Sequence, residues 1–166
     1  VLDTARLKYL LAEHLSVDSR NVHAFIIGEH GDSELAVWSS ANISGIDLKD
    51  FCGLCGKCTS MENIYNLYNN VRESAYKIID SKGATYYAIA MATLRIVECI
   101  VRDEKSVIPV STLVEGEYGI NDVCMGLPSI VGKNGVERIL EIPLNKNEAE
   151  NLLNSAREIN EYTRLN

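Results

Sequence analysis

Leu7, Leu10, Leu11 and Leu15 recur at helical spacing, so the start of the chain reads as an amphipathic helix with one apolar face. Residues 21–28 alternate instead. Val22, Ala24 and Ile26 share one side and His23, Phe25 and Ile27 the other, which is the two-residue period of a strand. The strand runs into a turn, Gly28-Glu29-His30-Gly31-Asp32-Ser33. Residues 39–58 carry no clear period and read as a loop. Thr59 and Glu62 are spaced as a capping box ahead of Ile64, Leu67, Tyr68, Val71, Ala75 and Ile78, the apolar face of a long helix. Lys82-Gly83-Ala84 breaks that helix. Residues 85–102 form another, apolar nearly all round and therefore expected to be buried. Short strands follow at 107–113, 123–132 and 136–142, separated by glycine-containing turns. Pro109 belongs at an edge or bulge, because it has no N–H for a ladder. Asn145 and Glu148 cap a last helix that turns Leu152, Leu153, Ala156 and Ile159 inward. Helices are segregated from runs of short strands, so the fold class is α+β, long helices on short antiparallel strands, and not a doubly wound sheet. No repeat or low-complexity segment interrupts the pattern.

Composition narrows the function. A chain of 166 residues suits a single domain spanning 1–166, long enough to bury a core. The net charge of −7 argues against nucleic acid, which needs a concentrated basic face. The most apolar stretch, 86–101, is interrupted by Arg95 and Glu98 and is not expected to span a membrane. No signal peptide opens the chain, and the absence of an initiator Met before Val1-Leu2-Asp3 suits a piece of a longer protein. Five unevenly placed cysteines do not make a disulfide scaffold, so the expected setting is reducing and cytoplasmic. No two of the 11 glycines stand two residues apart, so the G-x-G-x-x-G dinucleotide fingerprint does not occur, nor does a phosphate-binding G-x-x-x-x-G-K-[ST] loop. A nicotinamide cofactor would need its phosphate grip outside these residues.

Three groups of residues could carry chemistry. His30 sits between two glycines at a strand end, accessible and with a pKa near neutrality, which suits proton transfer; a surface turn histidine is the plainer reading of the same spacing. Asp3 and Arg6 share one helix face as an i,i+3 pair. They could equally have separate duties, the carboxylate orienting a histidine and the guanidinium gripping a substrate carboxylate. Spacing alone does not bring Asp3 to His30. Cys52-x-x-Cys55-x-x-Cys58 has the spacing of a metal site but lacks a fourth ligand, so no metal is expected. Cys99 and Cys124 read as core residues.

Taken together, these segments resemble the C-terminal, substrate-binding half of the bacterial L-lactate dehydrogenases, within the lactate/malate dehydrogenase family. The resemblance rests on Val1-Leu2-Asp3-Thr4-Ala5-Arg6, on Gly28-Glu29-His30-Gly31-Asp32-Ser33-Glu34 with Val37-Trp38-Ser39, on Lys82-Gly83-Ala84-Thr85 with Ala88-Ile89, and on residues 107–119. It implies that His30 is the proton donor and acceptor, Asp3 its carboxylate partner and Arg6 the grip on a 2-oxo acid. It places Thr85 at the substrate pocket and Ile89 beside the nicotinamide of NAD. It also implies a homo-oligomer, a tetramer in the full-length family, and a fructose 1,6-bisphosphate effector site. His23 matches the family's histidine there, while Lys8 stands where an arginine is usual and lacks its bidentate fork. The family's N-terminal NAD-binding domain is missing from these residues, which implies that the chain alone neither binds NADH tightly nor turns over. Malate or branched 2-hydroxy-acid dehydrogenases, and an isolated oligomerisation or effector-binding module, are the alternatives.

Overall fold

The computed structural model describes residues 1–56 and 60–164, without the side chains of Ser74, Ala75 and Arg164. The expectations for Cys58, Thr59 and the inward face of Ala75 fall outside that description.

Helix α1 (Leu2–Leu15) buries Leu7, Leu11, Ala12 and Leu15, as its spacing predicts. The alternating segment is not one strand. It divides into β1 (Val22–His23) and β2 (Ile26–Ile27), which join different sheets. Its alternation nevertheless has a clear use. Val22, Ala24 and Ile26 enter one apolar core with α1, while Ile27 and the half-buried Phe25 enter a second. β3 (Leu35–Ala36) pairs antiparallel with β2 and divides the same way, Ala36 to the first core and Leu35 to the second. This segment is therefore the partition between two cores.

Residues 39–56 are more ordered than their pattern suggests. β4 (Asn42–Ile43) and β5 (Ile46–Asp47) form a hairpin, with Ser44 and Gly45 at φ 50° and 88°. Two consecutive positive φ values are the geometry of a tight two-residue hairpin turn. Helix α2 (Leu48–Cys55) follows and buries Leu48 and Cys52, one turn apart. Strands of two residues and a helix of eight are too short for periodicity to detect. Helix α3 (Met61–Lys82) places Ile64 and Val71 in the first core and ends on Gly83 at φ 78°.

The expected burial of the next helix is not met. α4 (Tyr87–Val101) buries Cys99 alone, and Tyr87, Met91 and Val101 are 80%, 64% and 77% exposed. A helix that is apolar all round needs cover on every side, and this chain covers only part of it.

β6 (Ser106–Glu115), β7 (Asn121–Gly132) and β8 (Gly135–Ile139) form an antiparallel sheet in that order, with Pro109 on the edge strand β6 as expected. Cys124 on β7 is exposed, which corrects its reading as a core residue, because its neighbours Val123 and Met125 take the buried side of the pleat. α5 (Lys146–Arg164) opens with the expected reciprocal cap. Asn145 N donates to Glu148 Oε2 and Glu148 N to Asn145 Oδ1, each at 2.9 Å. Leu152 and Ala156 enter the second core, but Leu153 is 37% exposed. Antiparallel sheets with separate helices make the fold α+β. Among the described residues, no helix is long and apolar enough to cross a membrane.

Candidate active site

Two independent clamps bring α1 to the His30 turn. Thr4 Oγ1 accepts the N–H of Ile26 at 2.9 Å and donates to its carbonyl at 3.4 Å, fixing the first turn of α1 against β2. Downstream of β2, Gly28 and Gly126 exchange both backbone hydrogen bonds at 2.8 Å, so the end of β2 is stitched to β7. Gly28 has φ 98°, and a Cβ there would lie 2.7 Å from Ser155 Oγ. That hydroxyl accepts the N–H of Glu29 at 2.8 Å. Glu29 Oε2 in turn accepts Ser33 N at 3.1 Å and Ser33 Oγ at 2.8 Å, closing the turn around His30. Glycine is required at position 28 for both backbone angle and space.

The contact that spacing left open is made. His30 Nδ1 lies 2.8 Å from Asp3 Oδ2, and Arg6 donates to the other oxygen, Oδ1, at 3.2 Å. The i,i+3 pair and the tertiary pair thus share one carboxylate. Its hydrogen bond to Asp3 raises the His30 imidazole above its ordinary value against the pull of burial, helped by the charges of Asp3 and Glu34. Burial pushes Asp3 up, but the His30 hydrogen bond and the charges of His30 and Arg6 outweigh it and hold the carboxyl below its ordinary value.

Glu34 completes the group, and no spacing in the sequence singles it out. It is 9% exposed, and its Oε1 has no hydrogen-bond partner among the described residues. Burial, then the charge of Asp3, pushes its carboxyl up to about 7 against the opposing charges of His30, Arg72 and Arg6. One donor atom each from Asp3, His30 and Glu34 lies within 4.8 Å of the other two, so a divalent cation has a possible ligand set here. The available signal was a carboxylate opening the apolar run Leu35-Ala36-Val37. Tyr68 and Arg72 of α3 were also missed. Tyr68 donates to the Glu34 carbonyl at 2.6 Å, and Arg72 to the Asp32 carbonyl at 2.6 Å.

Asp3, His30 and Glu34 line two cavities. One, of about 880 Å³, has apolar walls that include Ile26, Ile89, Ile96 and Val110, and Cys124 also borders it. The other, of about 190 Å³, adds the charged residues Arg6, Asp32 and Arg72, with Tyr76. His30 stands where the two meet. Ile89 therefore comes to the site, but Thr85, half-buried ahead of α4, lines neither cavity. His23 is exposed on β1 and Lys8 half-buried on α1; no hydrogen bond joins them among the described residues, and burial lowers the Lys8 ammonium. Cys55 Sγ bonds to the Cys52 carbonyl at 3.5 Å within α2, which accounts for part of the thiol run as helix packing.

The model of the lactate/malate dehydrogenase alpha/beta C-terminal domain matches residues 1–164. L-lactate dehydrogenase 1 of Clostridium acetobutylicum is 54% identical over 161 residues, covering 97% of this chain and 51% of that protein. The L-lactate dehydrogenase of Acetivibrio thermocellus is 53% identical over the same coverage. Among solved structures, a lactate dehydrogenase from a deep-sea metagenome library superposes with a TM-score of 0.93 at 42% identity, over 96% of this chain and 51% of that one. The minor L-lactate dehydrogenase of Enterococcus mundtii superposes at 0.90 with 40% identity. This chain spans about half the length of the relatives it matches.

Proposed function

Because the chain belongs to the lactate/malate dehydrogenase family as its alpha/beta C-terminal domain, we propose that it is the catalytic half of an NAD-dependent L-lactate dehydrogenase interconverting pyruvate and L-lactate. The observation that carries this is the 2.8 Å pair of His30 Nδ1 and Asp3 Oδ2, with Arg6 on the second oxygen, between a larger apolar cavity and a smaller one that Arg6, Asp32 and Arg72 also line.

A carboxylate can only accept, so Nδ1 carries the proton in that pair and Nε2 is left to give and take one. Reduction of a ketone puts negative charge on oxygen. The imidazolium supplies a proton there as the charge forms, and Asp3 stabilises the positive ring. Arg6 offers a planar fork for the substrate carboxylate and orients the ketone. The apolar wall with Ile89 suits a nicotinamide ring, whereas these residues contain no glycine-rich phosphate loop, so the other half of a whole enzyme must hold the phosphates. NAD supplies the hydride when bound. The exposed apolar residues of α4 support burial against that half or against further copies in a homo-oligomer. Fructose 1,6-bisphosphate activation through Lys8 and His23 is the family's option, expected weak with lysine in place of arginine. A cytoplasmic location accords with the family reading.

The test is NADH oxidation by a protein joining this chain to a dinucleotide-binding half, with pyruvate or oxaloacetate and with or without the sugar bisphosphate. Pyruvate should react faster, and His30→Asn should cut turnover by about 10²–10⁴-fold. Faster oxaloacetate would make the domain a malate dehydrogenase's. No reaction in a folded protein would favour a binding module.

A further inference from the structure

The redox and proton chemistry proposed above uses Asp3, Arg6 and His30 and leaves Glu34 idle. Burying a carboxylate is unfavourable unless its oxygens find donors or a cation. Glu34 Oε1 has neither a hydrogen-bond donor nor, among the described residues, any ion pair, yet its side chain faces the cavities shared with Asp3 and His30. Two carboxylates and an imidazole, with donor atoms within 4.8 Å of one another, are the ligand types of a borderline divalent cation. We infer that Asp3, His30 and Glu34 form a binding site for a zinc-class divalent cation.

Bonds of about 2.1 Å in a tetrahedral arrangement set donors about 3.4 Å apart, so the widest separation must close by up to about 1.4 Å and the 2.8 Å pair of His30 and Asp3 must open by about 0.6 Å. His30 is the member free to move, being 81% exposed on a turn between two glycines. The ion would take the place of the proton between His30 Nδ1 and Asp3 Oδ2; from the imidazolium that proton goes to water, and in the neutral ring it moves to Nε2. Arg6 keeps its hold on Asp3 Oδ1 and orients the carboxylate as a ligand. Exposure of His30 leaves room for water as the fourth ligand. Arg6 and Arg72 at the smaller cavity oppose the cation, so binding is weaker than at a closed structural site. Occupancy would draw the imidazole away from its proton-transfer role.

The test is calorimetric titration of this chain with zinc chloride in a Cys52→Ser, Cys55→Ser, Cys58→Ser background, which removes the thiol run as a rival site. The ring nitrogens of His30 are followed by ¹⁵N NMR in parallel. The expected result is one equivalent bound, a displaced His30 Nδ1 resonance, and at least a tenfold loss of affinity in Glu34→Gln. His30→Asn, on an exposed turn, should lose affinity likewise with an unchanged urea midpoint above the His30 titration range, where the raised pKa no longer adds stability. Zinc binding that disappears with the thiols, or that survives unchanged in both variants, would overturn the site. No turnover is involved, so that failure would leave the dehydrogenase proposal standing.

Discussion

Replacing Gly28 with alanine should loosen the whole site from one atom. At φ 98° a non-glycine residue is strained, by about 1–2 kcal/mol. The added Cβ would also meet Ser155 Oγ at 2.7 Å and Leu35 Cδ2 at 3.2 Å. Ser155 can yield only by turning its hydroxyl away from Glu29 N–H, which it now accepts at 2.8 Å. A partly buried donor left without a partner costs about 1–3 kcal/mol. The expected destabilisation is therefore about 2–5 kcal/mol, a large share of the roughly 5–15 kcal/mol that holds a domain together. Urea unfolding followed by Trp38 fluorescence reads it, since this single tryptophan packs edge-on against Tyr65 and Tyr68. In a Ser155→Ala background the 2.7 Å contact and the Glu29 bond are both already gone, and Leu35 is a flexible neighbour that can give by the few tenths of an ångström needed. Gly28→Ala should then cost only the strain of about 1–2 kcal/mol. An equal cost in the two backgrounds, or a change within about 0.5 kcal/mol in the native one, would refute the account of how the His30 turn is held.

NMR titration of His30 should give a pKa above its ordinary value in the native chain and a lower one in Asp3→Asn. A raised histidine adds stability that is complete below its unfolded pKa and lost as pH climbs through the folded one, so Asp3→Asn should flatten that slope in urea midpoints. Glu34 acts in the same direction through a different form. Its folded pKa of about 7 lies above the unfolded value near 4.5, so the native chain loses stability as pH rises across that window, and Glu34→Gln should remove the loss. Glu148→Ala should destabilise by about 2–3 kcal/mol in the same unfolding assay. The buried carboxylate accepts Ser39 N and Oγ as well as the Asn145 N–H, and all three donors would be orphaned.

The site was legible in part, and the division follows the range of each interaction. The Asp3–Arg6 pair spans one helical turn and was visible as an i,i+3 spacing. The alternation of Val22, Ala24 and Ile26 against Phe25 and Ile27 was also visible, although its meaning as a wall between two cores was not. Glu34 is not legible in the sequence, because its setting is made by tertiary contacts: α3 brings Tyr68 to its backbone carbonyl and Arg72 to that of Asp32 from more than 30 positions away. α4 was misjudged for the complementary reason. Its all-round apolar surface records that it will be covered, but not by which body, and this chain covers only part of it.

What the residues determined by themselves was local: helical and alternating periods, the Asn145–Glu148 cap, the edge position of Pro109, and a histidine set between two glycines at a strand end. The family resemblance added roles to residues. Tertiary structure alone decided that Asp3 Oδ2 meets His30 Nδ1, because that distance is set by Thr4 gripping β2, Gly28 pairing with Gly126, and Ser155 reaching in from α5. Periodicity describes each element against its own axis. The separation of two side chains on different elements follows only once hydrogen bonds between those elements, here up to 126 residues apart in the chain, have fixed one against the other.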